Sequence, residues 1–264
     1  MWDDFLEEVK ITKSKNTYIS YSNALRNFTT GGREEVVKYI AKEGIKDSTK
    51  KQNLTILLTA LNWYGQAGKV ITRTIHSYRV NEVEQPCPTN KEVEKIWDKI
   101  KDSRGRAIFA LMAWNGLRIG EIIGLDLEDY SNSMLLLRNT KGKKDTKTPL
   151  VHQRVTFFLQ EYLLKDRKKM GNNNPAMFLG RNGKRITSSN LKKWIKRLCV
   201  SAGYPKYHAH SFRRYFANTL SSAGVPLQLL KSCMRHRSIG TTMKYLNISP
   251  NDVKDTLEKV YNND

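Results

Sequence analysis

The chain has 264 residues, of which 39% are hydrophobic and 27% are charged, and its formal net charge at pH 7 is +21. This length allows one large domain or two ordinary ones with a substantial core, and the composition excludes a disordered chain. No window approaches 18 uncharged apolar residues, which excludes a transmembrane helix and predicts no membrane partner.

The positive charge is unevenly distributed along the chain. Residues 1–85 carry a net charge of +3, whereas residues 86–264 carry +18. A polyanion, most often nucleic acid, is therefore the partner that we expect. A solvated, lysine-rich surface is the alternative explanation of the same charge. The three cysteines are widely spaced and the acidic N-terminus has no signal-peptide pattern, so we expect a cytoplasmic location.

The first part of the chain is predicted to be a small helical bundle. Apolar residues recur at helical spacing in 17–28, in 33–44 and between Ser48 and Gly65, where Ser48 is a candidate N-cap. Helices this short bury their apolar faces only against one another. We assign residues 1–80 to this domain.

A linker and a second domain follow. Residues 78–88 lack periodicity and contain two prolines, so we place the linker at 81–88 and the second domain at 89–264. Thr89 followed by Glu92 forms a capping-box pattern that opens a helix. The next helix ends at Gly116, after which another helix can start.

The rest of the second domain is predicted to contain one β-hairpin and several helices. Residues 134–151 have the pattern of a hairpin with a basic tip. The predicted helices lie near 152–165, after Ser188 or Ser189 as N-cap, and at 210–222, 226–234, 239–247 and 251–262. The predicted fold class is mainly α with a small β-sheet or hairpin (α+β).

Several common catalytic motifs are missing from the sequence. It contains no GxxxxGK[ST], no HExxH and no Cys/His cluster with zinc spacing, so nucleotide-driven and zinc chemistry lack support. Breaking a DNA strand without a metal or a nucleotide requires a nucleophile, fixed donors for the phosphate oxygens and a proton donor for the leaving 5′-oxygen. Arginine suits the donor role, and a tyrosine nucleophile preserves the bond energy as a phosphotyrosine.

The chain contains side chains of each required kind. Arg118 follows Gly116 at a predicted helix N-terminus, which is a good anion site. His210 and Arg213 are three residues apart and share one helix face. The other candidates are Lys141 at the hairpin tip, His236 between two helical segments and Tyr245 on the following short helix.

Each candidate also has an ordinary structural alternative. Arg118 could pair with Glu121 on the surface, and His210 could be a hydrogen-bonded structural histidine. Lys141 could be merely solvated, and Tyr245 could belong to the core. Only the combination of these residues, in this order, favours a chemical role.

Four segments together resemble a known family. GLRIGEIIGLDLEDY, TKGKKDTKTPL, HAHSFRRYFANTL and RHRSIGTTMKYL resemble the successive motifs of the tyrosine recombinases, the Xer-type and phage-type integrases. The resemblance covers roughly residues 88–250. Residues 1–80 resemble that family's helical, SAM-like core-binding domain only in size, helicity and position.

The resemblance implies a C-terminal tyrosine-recombinase catalytic domain that needs no metal, no ATP and no other cofactor. It implies that Arg118 and Arg213 clamp the scissile phosphate and that Lys141 protonates the leaving 5′-oxygen. His210 would bond the phosphate and help to manage the nucleophile's proton, and His236 would bond a non-bridging oxygen. Tyr245 would form the 3′-phosphotyrosine.

The resemblance also implies an assembly. The expected partner is double-stranded DNA, bound by a homotetramer on paired sites, with a free protein that is monomeric. The helix at 251–262 would dock on a neighbouring subunit, and packing on its own domain is the alternative. The predicted function is that of a site-specific recombinase, Xer-like or a mobile-element integrase. A non-cleaving DNA-binding accessory protein and a type IB topoisomerase are the alternatives.

The sequence departs from the family pattern at two places. Arg235 stands where the family usually has glycine, and either a different backbone or an added phosphate contact is expected there. Met234 stands where leucine is commoner. Lys143 and Lys144 lie close enough to Lys141 to compete for its role.

Overall fold

The computed structural model describes residues 1–80, 85–138, 145–170, 173–180, 182–236 and 238–243. The chain divides into two compact units, Met1–Glu84 and Gln85–Asp264. Of the helices that the structure describes, none combines the length and the apolar character needed to span a membrane.

The described part of the first unit consists of five helices. They are α1 (Asp3–Thr12), α2 (Lys15–Leu25), α3 (Arg33–Ala41), α4 (Asp47–Trp63) and α5 (Lys69–Ser77). Leu54, Leu57 and Leu61 are buried on α4, and their spacing puts them on one helical face. That face packs against α2, α3 and α5, so the unit has its own core.

The structure differs from the sequence predictions at three points in this unit, and one of them is α1, where no helix was predicted. α4 begins at Asp47 with Lys46 as its N-cap, so the prediction that Ser48 caps it is wrong. α5 was not predicted, because β-branched residues fill much of its sequence and disfavour a helix. Ile75 on α5 is only 1% exposed, and this burial stabilises the helix despite its sequence.

The second unit is a larger assembly of helices around a small sheet. Its described helices are α6 (Asn90–Asp98), α7 (Ser103–Ala113), α8 (Ile119–Gly124), α9 (Gln153–Glu161), α10 (Ser188–Ser201), α11 (Ala209–Ser222), α12 (Leu227–Cys233) and α13 (Ile239–Met243). A 3₁₀ turn covers Leu127–Asp129, and a π-helical turn at Tyr162–Arg167 continues α9. The predicted mainly α fold with a small sheet is confirmed.

α7 is the central helix of the second unit. Every residue from Ala107 to Ala113 is buried, as expected for a helix that is apolar on all sides. α9 and α11 pack against it, and Phe109 on α7 contacts Phe212 on α11 with ring centroids 4.7 Å apart. This contact fixes α11 beside the C-terminal end of α7, from which the chain turns into α8.

The sheet contains three antiparallel strands in the order β1 (Tyr130–Ser131), β2 (Met134–Leu137) and β3 (Thr146–Pro149). β2 and β3 pair Leu135 with Thr148 and Leu137 with Thr146, which confirms the two strands of the predicted hairpin. Its tip, residues 139–144 with Lys141, Lys143 and Lys144, lies outside the described residues.

One predicted helix cap is confirmed, at α6, and another is wrong, at α10. Thr89 and Glu92 form the predicted capping box at the start of α6. At α10 the N-cap is Thr187, whose hydroxyl accepts from the backbone N–H of Asn190 at 3.2 Å, so the prediction of Ser188 or Ser189 is wrong by one or two positions. The three hydroxyl residues are consecutive, and local sequence alone does not choose between them.

Candidate active site

Arg118 is the N-cap residue of α8, in agreement with the predicted helix start. Its backbone N–H donates to Oε2 of Glu121 at 2.8 Å, and its Nη1 donates to Oε1 of the same carboxylate at 2.7 Å. The Arg118 side chain is still 35% exposed. The ion pair with Glu121 therefore exists, and it orients a guanidinium that solvent can still reach.

Arg213 joins three parts of the second unit. It lies on α11, one turn after His210, and its side chain is 1% exposed. Its Nη1 donates to the carbonyl of Gly116 and its Nη2 donates to the carbonyl of Met234. These bonds connect α11 to the turn before α8 and to the end of α12, which brings distant parts of the sequence together.

Gly116 is required by the geometry of that turn. Its φ is +61°, and a Cβ added there would lie 2.3 Å from Cδ1 of Phe216. A side chain would therefore suffer both an unfavourable backbone conformation and a collision. The glycine keeps its carbonyl in place as the shared acceptor of Arg213 and Arg235.

Arg235 adopts a left-handed backbone, with φ of +52°. Its side chain is 8% exposed. Nη1 donates to the carbonyl of Cys233 at 2.9 Å, and Nη2 donates to the carbonyl of Gly116 at 3.0 Å and to Oε2 of Glu121 at 3.2 Å. The arginine thus keeps a conformation that glycine favours, and its guanidinium is buried among protein acceptors.

Glu121 is shared by three arginines. Its carboxylate lies 2.7 Å from Arg118, 3.2 Å from Arg235 and 3.9 Å from Arg213. Burial alone would raise the pKa of Glu121. Arg235, the backbone N–H of Arg118 and Arg213 lower it by more than burial raises it, so the pKa lies below its ordinary value. One ionised carboxylate thus faces three cations, and positive charge remains in excess.

His236 is a buried, neutral imidazole. Its side chain is 6% exposed, and its Nδ1 lies 3.0 Å from Oγ1 of Thr242 on α13. Burial lowers the pKa of His236 to about 4, and three nearby arginines add to that effect by repelling a second positive charge. The ring is therefore uncharged at neutral pH.

His210 is a second neutral imidazole at the same site. It lies in the first turn of α11, with its ring centroid 6.4 Å from that of His208. Desolvation lowers the pKa of His210, and electrostatic interactions with His208, Arg213 and Arg118 lower it further. A neutral histidine of this kind can accept a proton.

These side chains line one cleft of about 1090 Å³ in the second unit. Four predicted candidates lie on it, namely Arg118, His210, Arg213 and His236. Lys141 and Tyr245 lie outside the described residues. In the part of the chain that the structure describes, no three His, Cys, Asp or Glu side chains are grouped as metal ligands.

Sequence reasoning missed several groups at this cleft. Lys192 on α10 lines it, yet no spacing rule connects that lysine to the other candidates. Thr242 supplies the hydroxyl beside His236. Glu121 was interpreted only as a surface partner of Arg118, although a glutamate at the third position of a predicted helix is a recognisable capping signal.

Comparison with known sequences identifies similar proteins. The model of the phage integrase family matches residues 88–252. The tyrosine recombinase XerC of Thermodesulfovibrio yellowstonii is 25% identical, over 97% of this chain and 93% of its own length. The tyrosine recombinase XerA of Pyrococcus horikoshii is also 25% identical, over 94% of this chain and 88% of its own length.

Solved structures show the same fold. The Tn1549 transposon integrase in complex with transposon right end DNA superposes with a TM-score of 0.78 at 16% identity, covering 97% of both chains. The XerH site-specific recombinase bound to palindromic difH substrate has a TM-score of 0.70 at 22% identity, covering 91% of this chain and 76% of XerH. At these identities the likeness concerns the fold alone.

Proposed function

We propose a function for the cleft on the premise that this chain belongs to the phage integrase family. The chain is a tyrosine recombinase, a site-specific enzyme that breaks and rejoins DNA strands. The finer proposal concerns the roles of its side chains. Its main support is that Arg118 and Arg213 line one cleft together with the neutral imidazoles of His210 and His236.

In this proposal Arg118 and Arg213 hold the scissile phosphate. Guanidinium groups donate along two parallel directions and remain charged, which suits the non-bridging oxygens as negative charge builds on them. Arg213 is held by two backbone carbonyls, so its side chain loses little conformational entropy when the phosphate binds. Arg118 is oriented by Glu121 and remains accessible.

The two histidines take different roles because their surroundings differ. In this proposal Nδ1 of His236 accepts a hydrogen bond from the Thr242 hydroxyl, so the ring N–H lies on Nε2 and can donate a hydrogen bond to a phosphate oxygen. His210 lies on the first turn of α11 and is neutral, so it can accept the proton of the nucleophile.

Tyr245 is the proposed nucleophile. Its hydroxyl oxygen bonds to phosphorus while the bond from phosphorus to the 5′-oxygen breaks. The tyrosine proton goes to His210, and Lys141 protonates the departing 5′-oxygen. The products are a 3′-phosphotyrosine and a free 5′-hydroxyl, which can attack the phosphotyrosine in turn and rejoin a strand.

The proposed partner is double-stranded DNA. Of the similar solved proteins, the Tn1549 integrase is in complex with transposon right end DNA and XerH is bound to its difH substrate. We propose that residues 1–80 form a core-binding domain and that four copies assemble on two paired sites. The free protein is monomeric in this proposal, and the segment 251–262 docks on a neighbouring subunit. The widely spaced cysteines favour a cytoplasmic location.

A nicked duplex carrying the target site tests the function. Cleavage beside the nick releases a short fragment, so rejoining fails and the covalent protein–DNA product accumulates. We expect this product from the wild type, with or without EDTA, and none from Tyr245→Phe, which should still bind the duplex. A wild type that binds the site without forming an adduct is an accessory binding protein. Adducts that form without regard to sequence identify a topoisomerase.

A further inference from the structure

Arg235 occupies a backbone position that glycine would occupy without cost. Its φ of +52° lies in the left-handed region, where the Cβ of an L-residue approaches a carbonyl oxygen too closely. An outlier of this kind supports a hypothesis of function for the residue that adopts it. The contacts of the Arg235 side chain therefore indicate what it contributes.

The Arg235 guanidinium is committed to protein acceptors. Nη1 donates to the carbonyl of Cys233, and Nη2 donates to the carbonyl of Gly116 and to Glu121. One of these acceptors, Glu121, also accepts from Arg118. Arg235 can therefore influence the chemistry through the groups that it holds.

The most important of these groups is Oε2 of Glu121. A carboxylate oxygen accepts along about two lone-pair directions. Oε2 already accepts the backbone N–H of Arg118 at 2.8 Å and Nη2 of Arg235 at 3.2 Å. Nη1 of Arg213 lies 3.9 Å from the same oxygen, beyond hydrogen-bonding distance.

We propose that Arg235 is a positioning residue for strand cleavage, which holds Glu121 against Arg118 and keeps its carboxylate from pairing closely with Arg213. This inference rests on the proposed function, in which Arg213 binds the scissile phosphate. A close pair with Glu121 would neutralise charge that the phosphate oxygens need. Arg235 occupies the acceptor site on Oε2 that such a pair would use.

The structural test is a crystal structure of the Arg235→Gly variant without DNA. Glycine adopts the same φ without cost, so the variant is expected to fold. Without Arg235, the distance from Nη1 of Arg213 to Glu121 should fall from 3.9 Å to about 3 Å, a normal charged hydrogen bond. A distance that stays at its present value overturns the proposal. Arg235→Asn, which tolerates the same backbone, serves if the glycine variant does not fold.

The kinetic test measures single-turnover cleavage of the nicked duplex at saturating protein. We expect Arg235→Gly to be slower by about tenfold, as for coupled neighbours that position a reacting group. Its affinity for the duplex should stay within about twofold of the wild type, because Arg235 does not bind phosphate. An unchanged cleavage rate overturns the proposal.

A double-mutant cycle with Glu121→Gln identifies the route of the effect. Glutamine carries no charge to neutralise Arg213, so adding Arg235→Gly to that variant should change the rate by less than about twofold. A tenfold decrease in cleavage rate in both the wild-type and the Glu121→Gln background shows that Arg235 acts through a group other than Glu121. The wild type tests the proposed function separately: if it forms no adduct, the function fails, while the crystal structure still tests the arrangement of Glu121.

Discussion

Arg118 and Arg213 have the same proposed role but different structural surroundings. Arg213 is 1% exposed and bonds two carbonyls, whereas Arg118 is 35% exposed. Replacing either by alanine should cost at least about 3 kcal/mol in transition-state stabilisation of cleavage, as for a single oxyanion donor. Only Arg213→Ala should also destabilise the fold, by about 2 kcal/mol, because the buried carbonyl of Met234 loses its donor and that of Gly116 keeps only Arg235.

Two measurements separate these effects. Cleavage rates on the nicked duplex give the catalytic losses, and urea unfolding gives the stability losses. Arg118→Ala is the matched control for stability, since its removal leaves the two buried carbonyls bonded. A near-normal cleavage rate for either variant removes that arginine from the proposed site.

His236 makes folding depend on pH in a defined window. Its pKa is lowered to about 4 in the folded protein from an ordinary value of 6.5. Between those values the unfolded chain binds more protons, so the stabilisation is complete above about pH 6.5 and is lost as the pH falls towards 4. From about pH 7 to about pH 5 this group should reduce the unfolding free energy by about 2 kcal/mol.

The His236→Gln variant isolates this contribution, because glutamine does not titrate and can still bond to Thr242. Urea unfolding of both proteins at the two pH values gives the comparison. The wild type should lose about 2 kcal/mol more than the variant on acidification. An equal loss in the two proteins means that His236 has an ordinary pKa.

For single residues, the sequence predicted the place in the secondary structure better than the contacts between side chains. Arg118 at a helix start follows from the break at Gly116 and from local helix rules, and the structure has it there. The sharing of Glu121 with Arg235 depends on residues 114 positions apart, which no local rule connects. At Arg235, where the family usually has glycine, a different backbone was one of two expectations, but the φ of +52° is a conformation that glycine favours.

At the scale of elements, the turn between α7 and α8 is the critical junction. Gly116→Ala should destabilise the second unit by about 3 kcal/mol, from the positive φ and the collision with Phe216 together. Gly124→Ala on α8 is the matched control, since nothing lies within 4 Å of an added Cβ and alanine favours a helix. Thermal unfolding should show a large decrease for the first variant and no decrease for the second. Equal melting temperatures would contradict this account of the turn.

The success of element prediction depended on whether the signal was local. The capping box of Thr89 and Glu92 was predictable because both halves lie within one turn. The hairpin strands were predictable from their composition and flanking turn. α5 was not, because its helicity comes from the burial of Ile75 in the first unit rather than from its own residues.

At the scale of the whole molecule, the net charge of +18 on residues 86–264 should make DNA binding strongly salt-dependent. Lys192 lines the cleft and is exposed. Lys192→Gln should reduce the slope of log affinity against log salt by about one. Lys165→Gln is the control, because that lysine pairs with Glu161 at 3.1 Å outside the cleft lining. Equal slopes for the wild type and Lys192→Gln would remove Lys192 from the DNA contact.

The large-scale organisation was readable from bulk properties and spaced motifs. Charge asymmetry indicated a polyanion partner, and four motifs in one order indicated the family to which the chain belongs. The cleft itself was not readable, because its lining comes from α8, β2, α10, α11 and α13, which meet only in the folded chain. Arg213 meets Gly116 and Met234 only in the folded chain.

Identifying the residue that becomes joined to DNA tests the proposed role of Tyr245 most directly. The covalent product from the nicked duplex is digested, and the peptide that carries the nucleotide is sequenced by mass spectrometry. We expect a single modified peptide, with the 3′-phosphate on Tyr245 and a free 5′-hydroxyl on the released fragment. A phosphate on another residue, or a 5′-linked product, would contradict this expectation.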